Sequence, residues 1–188
     1  MTAHYAIRHN LEFRYDSPVG GSVTTLPVSP VRNRIDKDED LLSSIRQLRS
    51  TLYRVFRYAP GSTVVDSPIE HILETGRGVC QDYAHVMASI LRSWGVPTRY
   101  ASGYLGPNGH DDSQGQGHAW VESWLPGIGW RGFHPTNDCD CNERHILVAI
   151  GRDYADVPPV RGAFRGNTDS TLSTDVSVTH DEPNATFS

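Results

Sequence analysis

The chain has 188 residues, a formal net charge of −5 and 37% hydrophobic residues, enough for one domain with a real core. No basic tract invites nucleic acid or an anionic membrane, and no apolar run reaches the length of a membrane span. Three cysteines are too few for a disulfide framework, and Met1–Tyr5 lacks the charged start and apolar middle of a signal peptide, so a reduced, cytoplasmic setting is expected.

Residues 4–15 place Tyr5, Ile7, His9, Leu11, Phe13 and Tyr15 on one face, the period of a strand. Ser17-Pro18-Val19-Gly20-Gly21 turns the chain, residues 22–28 offer a second short strand, and the charged run Asp36–Asp40 reads as a solvated linker. Leu41, Ile45, Leu48, Leu52 and Val55 then recur at helical spacing, and the helix should end near Tyr58, ahead of Pro60-Gly61. Ser67-Pro68-Ile69-Glu70 has the form of a capping box with proline at the first helical position, and the helix it opens stops at Gly76.

A central helix follows from about Cys80 to Trp94, with Ala84, Met87, Leu91 and Trp94 as its buried stripe and Gly95 closing it. From residue 98 the period changes to two. Strands are expected at 98–105, 118–125, 130–134 and 146–150, with a polar glycine-rich loop over 106–117 as a candidate lid and a hairpin turn at 126–129. After Gly151 the chain is irregular, and Leu172, Thr174, Val176 and Val178 suggest a last strand. Helices first and antiparallel strands second point to an α+β layer fold with the central helix packed on the sheet.

The chemistry centres on Gly76-Arg77-Gly78-Val79-Cys80-Gln81-Asp82. A cysteine at a helix start meets unpaired backbone N–H groups and partial positive charge, which favour its thiolate and lower its pKa. The flanking glycines let the backbone bend and a substrate come close. Cys80 alone is weak evidence, since free cysteines are often packing residues. The packing of the central helix on the sheet brings Cys80 toward His118, which opens a strand after the glycine-rich loop, and a histidine there can serve as base and acid for the thiol.

Gly76–His85, Leu91–Leu105, His118-Ala119-Trp120-Val121-Glu122, Leu125–Trp130, Pro135-Thr136-Asn137 and Gly151–Pro159 together resemble the bacterial transglutaminase-like family. The resemblance covers roughly residues 50–165. It implies a papain-like core, a Cys-His-Asp triad and acyl transfer at amides: transamidation, deamidation or peptide hydrolysis. On this basis residues 1–38 form an N-terminal β segment and linker, residues 39–165 the catalytic core, and residues 166–188 a C-terminal strand and tail. Larger family members carry a β-rich domain before the core, which is abbreviated here. The first strand is left either to pair with the last or to offer an edge to a partner or a second copy.

One position departs from the family. Its third triad residue is the Asp of a Phe-Asp-Pro-Thr-Asn motif, and this chain has Phe133-His134-Pro135-Thr136-Asn137. Neutral His134 can accept the catalytic imidazole's proton and fix its tautomer, but supplies no negative charge; Asp138 and Asn137 rank below it as substitutes. Two expectations follow. One is an enzyme using Cys80, His118 and His134 on a peptide or protein substrate; the other is a weakly active or inactive binding or scaffold module on the same fold.

Further features carry less. His134, Cys139, Cys141 and His145 are zinc-type ligands, but Cys-x-Cys is not the usual knuckle spacing, so a polar surface loop with incidental thiols is the preferred reading. No metal and no organic cofactor is expected. Asp82 and His85 are either cleft residues or helix-start polar contacts, Asp111 and Asp112 are solvated loop residues, and Trp120 and Trp130 are expected in the core.

Overall fold

The computed structural model describes residues 40–63, 67–106 and 117–158 with their surroundings, together with the backbone of four further strands. In chain order the elements are β1 (Tyr5–Tyr15), β2 (Gly20–Gly21), α1 (Leu41–Val55), β3 (Arg57–Tyr58), α2 (Ile69–Thr75), β4 (Arg77–Gly78), α3 (Cys80–Ser93), β5 (Thr98–Leu105), β6 (Gly117–Leu125), β7 (Gly129–His134), β8 (Cys139–Asp140), β9 (His145–Gly151), a 3-10 turn (Tyr154–Asp156), β10 (Phe164–Arg165) and β11 (Ser170–His180). The expected strand at 22–28 and the lid at 107–116 lie outside the described residues.

The main sheet has five strands in the order β8-β7-β6-β5-β9, antiparallel throughout. Its inner face is built by alternation: Tyr100, Ala119, Val121, Leu125 and Phe133 are buried there with Ala84, Met87 and Leu91 of α3. This is the α+β arrangement that the residue periods imply, with the central helix on the sheet. α1 packs on α3 through Ile45 and Leu52, and Phe56 replaces the expected Val55, meeting Tyr83 edge to face at 5.6 Å. Val55 is exposed because the helix ends there, before Tyr58, when Arg57–Tyr58 turns into a short parallel pairing with Arg77–Gly78.

The helix ends follow ordinary capping, with one correction. Asp40 caps α1, its Oδ1 accepting the Leu42 N–H at 3.2 Å. At α2 it is Pro68, extended, that sits in the cap position in place of Ser67, so the helix opens one residue later than expected, and Pro68 makes no side-chain cap bond. β1 pairs antiparallel with β11 along its whole length, from Tyr5↔His180 to Tyr15↔Ser170, which is one of the two arrangements left open by the sequence. Among the described residues, no helix is long and apolar enough to cross a membrane.

Candidate active site

Cys80 is the first residue of α3, so its backbone N–H is not committed to the helix. The turn before it is built around Asp82, whose Oδ2 accepts the Val79 N–H at 2.7 Å and the Thr63 hydroxyl at 2.7 Å. Gly78 is needed for that cap. A Cβ at 78 would lie 2.8 Å from Asp82 Oδ2 and 2.7 Å from Ile72 Cδ1. The space at Gly78 is therefore taken by the capping carboxylate, which corrects the expectation that it admits substrate. Gly76 does supply the bend, at φ 66°.

The backbone N–H groups of Ala119, the residue after His118, of Gln81 and of Cys80 itself all favour the Cys80 thiolate. Helix start and strand thus converge, as the packing of α3 on β6 requires. The acidity differs from the expectation. Burial pushes the Cys80 thiol above its ordinary value, and the three backbone donors only partly offset it. A helix start lowers a thiol's pKa when water also reaches it; here desolvation wins. Tyr58, placed by its pairing with Gly78, and buried Tyr100 both feel the charge of Cys80. These two tyrosines escape the sequence reading because each reaches the cysteine through strand pairing or helix packing and not through a motif.

His118 is half-buried, and its Nδ1 is enclosed without a hydrogen-bond partner. Its ring meets that of His134 edge to face, with centroids 5.3 Å apart. His134 is fully buried, and its Nε2 likewise lacks a partner. The other nitrogen of His134, Nδ1, lies 3.1 Å from Nε2 of His145. His145 Nδ1 in turn faces both the Asn142 N–H at 3.2 Å and Asn142 Oδ1 at 3.1 Å. It accepts from the first or donates to the second, according to tautomer. His134, His145 and Asn142 therefore form a chain, and the His118 ring packs edge to face on its end.

Burial lowers the pKa of His118. Burial, then the neighbouring His118 and His145, lowers His134 to about 3. Neutral imidazoles are the resting forms, and no carboxylate among the described residues offsets the lowering at His118. The lower-ranked substitutes are accounted for elsewhere. Asp138, at φ 48°, receives the Arg49 Nε–H at 2.9 Å and the Ser50 hydroxyl at 2.7 Å, which turn it toward α1. Asn137 is exposed.

The segment after β7 is more organised than the expected surface loop. Asp140 pairs with Arg46 and Arg49 of α1, so two aspartates clamp the turn to the helix on either side of Cys139. One potential ligand atom from each of His134, Cys139 and His145 lies within 4.8 Å of the others. Cys141 is not in the group; it packs over Gly132, where a Cβ would come within 2.7 Å of its sulfur. The four-residue set that the sequence offers thus reduces to three, contributed by β7, β8 and β9.

Asp82 is a capping residue, and His85 is structural too, its Nε2 accepting the Tyr154 N–H at 3.1 Å. Trp120 is buried as expected, against His145 with centroids 5.4 Å apart. Trp130 is not: it is exposed beside Trp124, under the guanidinium of Arg99. Asp111 and Asp112 lie outside the described residues.

A family model for the transglutaminase-like superfamily matches residues 30–135, from the linker through the strand that ends at His134. The chain belongs to the transglutaminase-like superfamily. Among relatives of this superfamily member, an uncharacterized protein of Mycobacterium leprae is 39% identical over 160 residues, covering 81% of this chain and 55% of its own. A Mycobacterium tuberculosis protein is 40% identical over 147 residues, 73% of this chain and 46% of its own. The superfamily member thus spans about half the length of these relatives. A Pseudomonas aeruginosa protein-glutamine gamma-glutamyltransferase is 39% identical over 83 residues, 41% of this chain but 12% of that one. A solved Cytophaga hutchinsonii structure, described as a candidate cysteine protease, superposes with a TM-score of 0.65 at 19% identity, covering 98% of this chain and 82% of that one. That likeness establishes the shared fold.

Proposed function

We propose that this transglutaminase-like domain carries out thiol-dependent acyl transfer at an amide, with Cys80 as nucleophile and His118 as base and acid. The observation that carries the reading is the placement of Cys80 at the uncommitted start of a helix packed on β6, the strand that His118 helps to open. Membership of a superfamily that includes cysteine proteases and transglutaminases supports it.

In the reaction, Cys80 Sγ attacks the carbonyl carbon of a peptide bond or glutamine carboxamide as its proton passes to His118. The Cys80 N–H faces the oxygen that gains charge. The C–N bond breaks, His118 returns the proton to the leaving amine or ammonia, and a thioester remains. Water or a primary amine then attacks the thioester, losing its proton to His118, and the thiol is restored. The likeness to a protein-glutamine gamma-glutamyltransferase favours a glutamine carboxamide as acyl donor.

His134 takes the orienting place. A base-competent His118 carries its proton on Nδ1 and leaves Nε2 free for the thiol. His134 meets that ring edge to face, without a hydrogen bond to His118 Nδ1, and is itself held by the contact of its Nδ1 with His145 Nε2 at 3.1 Å. It brings no negative charge, and in a serine triad losing the acid's function costs roughly 10⁴ in rate. With the raised thiol, this favours a slow enzyme, and a binding module is the second reading. A glutaminyl peptide and a fluorescent primary amine test the two. Cys80-dependent ammonia release or amine incorporation supports acyl transfer; neither product in wild type or in His134→Asp supports the binding module.

A further inference from the structure

We propose that His134, Cys139 and His145 are the ligands of a zinc-class divalent cation. The three side chains come from three strands, and their ligand atoms lie within 4.8 Å of one another. Two nitrogens held by one tetrahedral zinc ion sit about 3.3 Å apart, from bonds of about 2.0 Å. His134 Nδ1 and His145 Nε2 are already 3.1 Å apart, so the imidazole pair has the spacing of two zinc-bound nitrogens.

Several neighbours hold the donors in place. Trp120 stands edge-on against the His145 ring. The Asn142 side-chain oxygen, 3.1 Å from His145 Nδ1, is the acceptor that a ligating histidine requires on its other nitrogen. Asp138 and Asp140, paired with Arg49 and Arg46 of α1, brace the turn that carries Cys139. His134 is fully buried, whereas Cys139 and His145 are partly exposed, so an ion can enter from their side. Two imidazoles and a thiolate suit zinc and reject magnesium and calcium, which take oxygen ligands. Three protein ligands leave one coordination position open. On binding, the metal–sulfur bond forms as Cys139 releases its thiol proton to solvent.

The site adjoins the catalytic pair, and its consequence there, though not the binding itself, rests on the proposed function. An ion on His134 Nδ1 leaves the proton of that ring on Nε2. Metal occupancy thus fixes the tautomer of the ring that packs edge to face on His118, without the ion touching Cys80.

The test is zinc binding by the full chain, with cobalt as a spectroscopic stand-in. Purified protein is loaded with zinc chloride at neutral pH and dialysed, and its metal is counted by elemental analysis. One zinc per chain is expected in wild type, Cys80→Ser and Cys141→Ser. Affinity should fall by about 100-fold or more in Cys139→Ser and His145→Ala, since even groups that only support ligands are worth roughly 10–100-fold. Cobalt should give a sulfur-to-metal charge-transfer band in wild type and Cys80→Ser, which reads sulfur ligation without relying on the folding of a ligand variant. A wild-type protein that retains no zinc overturns the site, as does zinc retained equally in Cys139→Ser. Loss of zinc in Cys80→Ser would move the ion to the nucleophile and overturn it as well. Because binding is read without turnover, an inactive protein that holds one zinc through Cys139 would refute the proposed activity and leave the site standing.

Discussion

The two faces of the main sheet do different work. The inner face, with Ala119, Val121, Leu125 and Phe133 against α3, is apolar and closed. The outer face at the same strand ends carries His118, Trp120 and His134, with Cys139 and His145 beside them. One residue of register separates them, because successive side chains on a strand alternate. The inner face sets where α3 begins and so where Cys80 lies; the outer face holds the histidines on which the proposed base depends. Mutations should therefore divide by face, stability on one side and chemistry on the other.

The largest separation is expected from Phe133→Ala. Phe133 is fully buried in the inner layer, and its truncation should cost about 3–5 kcal/mol of stability in urea unfolding. The rate per folded molecule should change far less. His118→Ala is the mirror case. It should lower acyl transfer by roughly 10²–10⁴ and leave the unfolding midpoint nearly in place. If both variants lose stability equally and neither loses chemistry specifically, the division by face fails.

His134→Asp sharpens the comparison within the outer face. Restoring a carboxylate next to His118 should raise kcat/KM by about tenfold or more, out of the roughly 10⁴ that an acid can contribute. An unchanged or lower rate would mean that residue 134 is not the orienter. Asp138→Ala should have the smallest effect. It removes the bonds from Arg49 and Ser50 and places alanine at a positive φ, for a loss of about 1–2 kcal/mol and little change in chemistry.

Acidity offers a separate check on the nucleophile. Burial raises the Cys80 pKa above its ordinary value of 9.0. A raised thiol pKa means that the thiolate is scarcer in the folded protein than in a free cysteine at any pH below it. Iodoacetamide labelling of Cys80 should therefore climb with pH and reach half its maximum above pH 9.0. A plateau already reached at pH 6–7 would show a thiolate stabilised at rest, against this account.

The inner face was legible from sequence because alternation and helical stripes report burial directly: Ala84, Met87 and Leu91 fall on the predicted stripe. The placement of Cys80 at a helix start and of His118 at the opening of a strand was legible because the blocks around them are local. What escaped depends on contacts between distant positions. The role of Gly78 is visible only once Asp82 folds back onto the turn. The raised thiol reflects how deeply α3 is packed, which no local rule about helix starts contains. The convergence of His134, Cys139 and His145 needs the pairing of His134 with Cys139 and of Leu105 with His145 across the sheet. Spacing alone suggested a different set, with Cys141 included.

The most direct test of the central claim is intact-mass spectrometry of the protein quenched in acid during reaction with a glutaminyl peptide. The account predicts an adduct equal to the peptide minus ammonia, lost on hydroxylamine treatment, mapped to Cys80 and absent in Cys80→Ala. An adduct on Cys139 or Cys141, or product formed by Cys80→Ala at the wild-type rate, would contradict it.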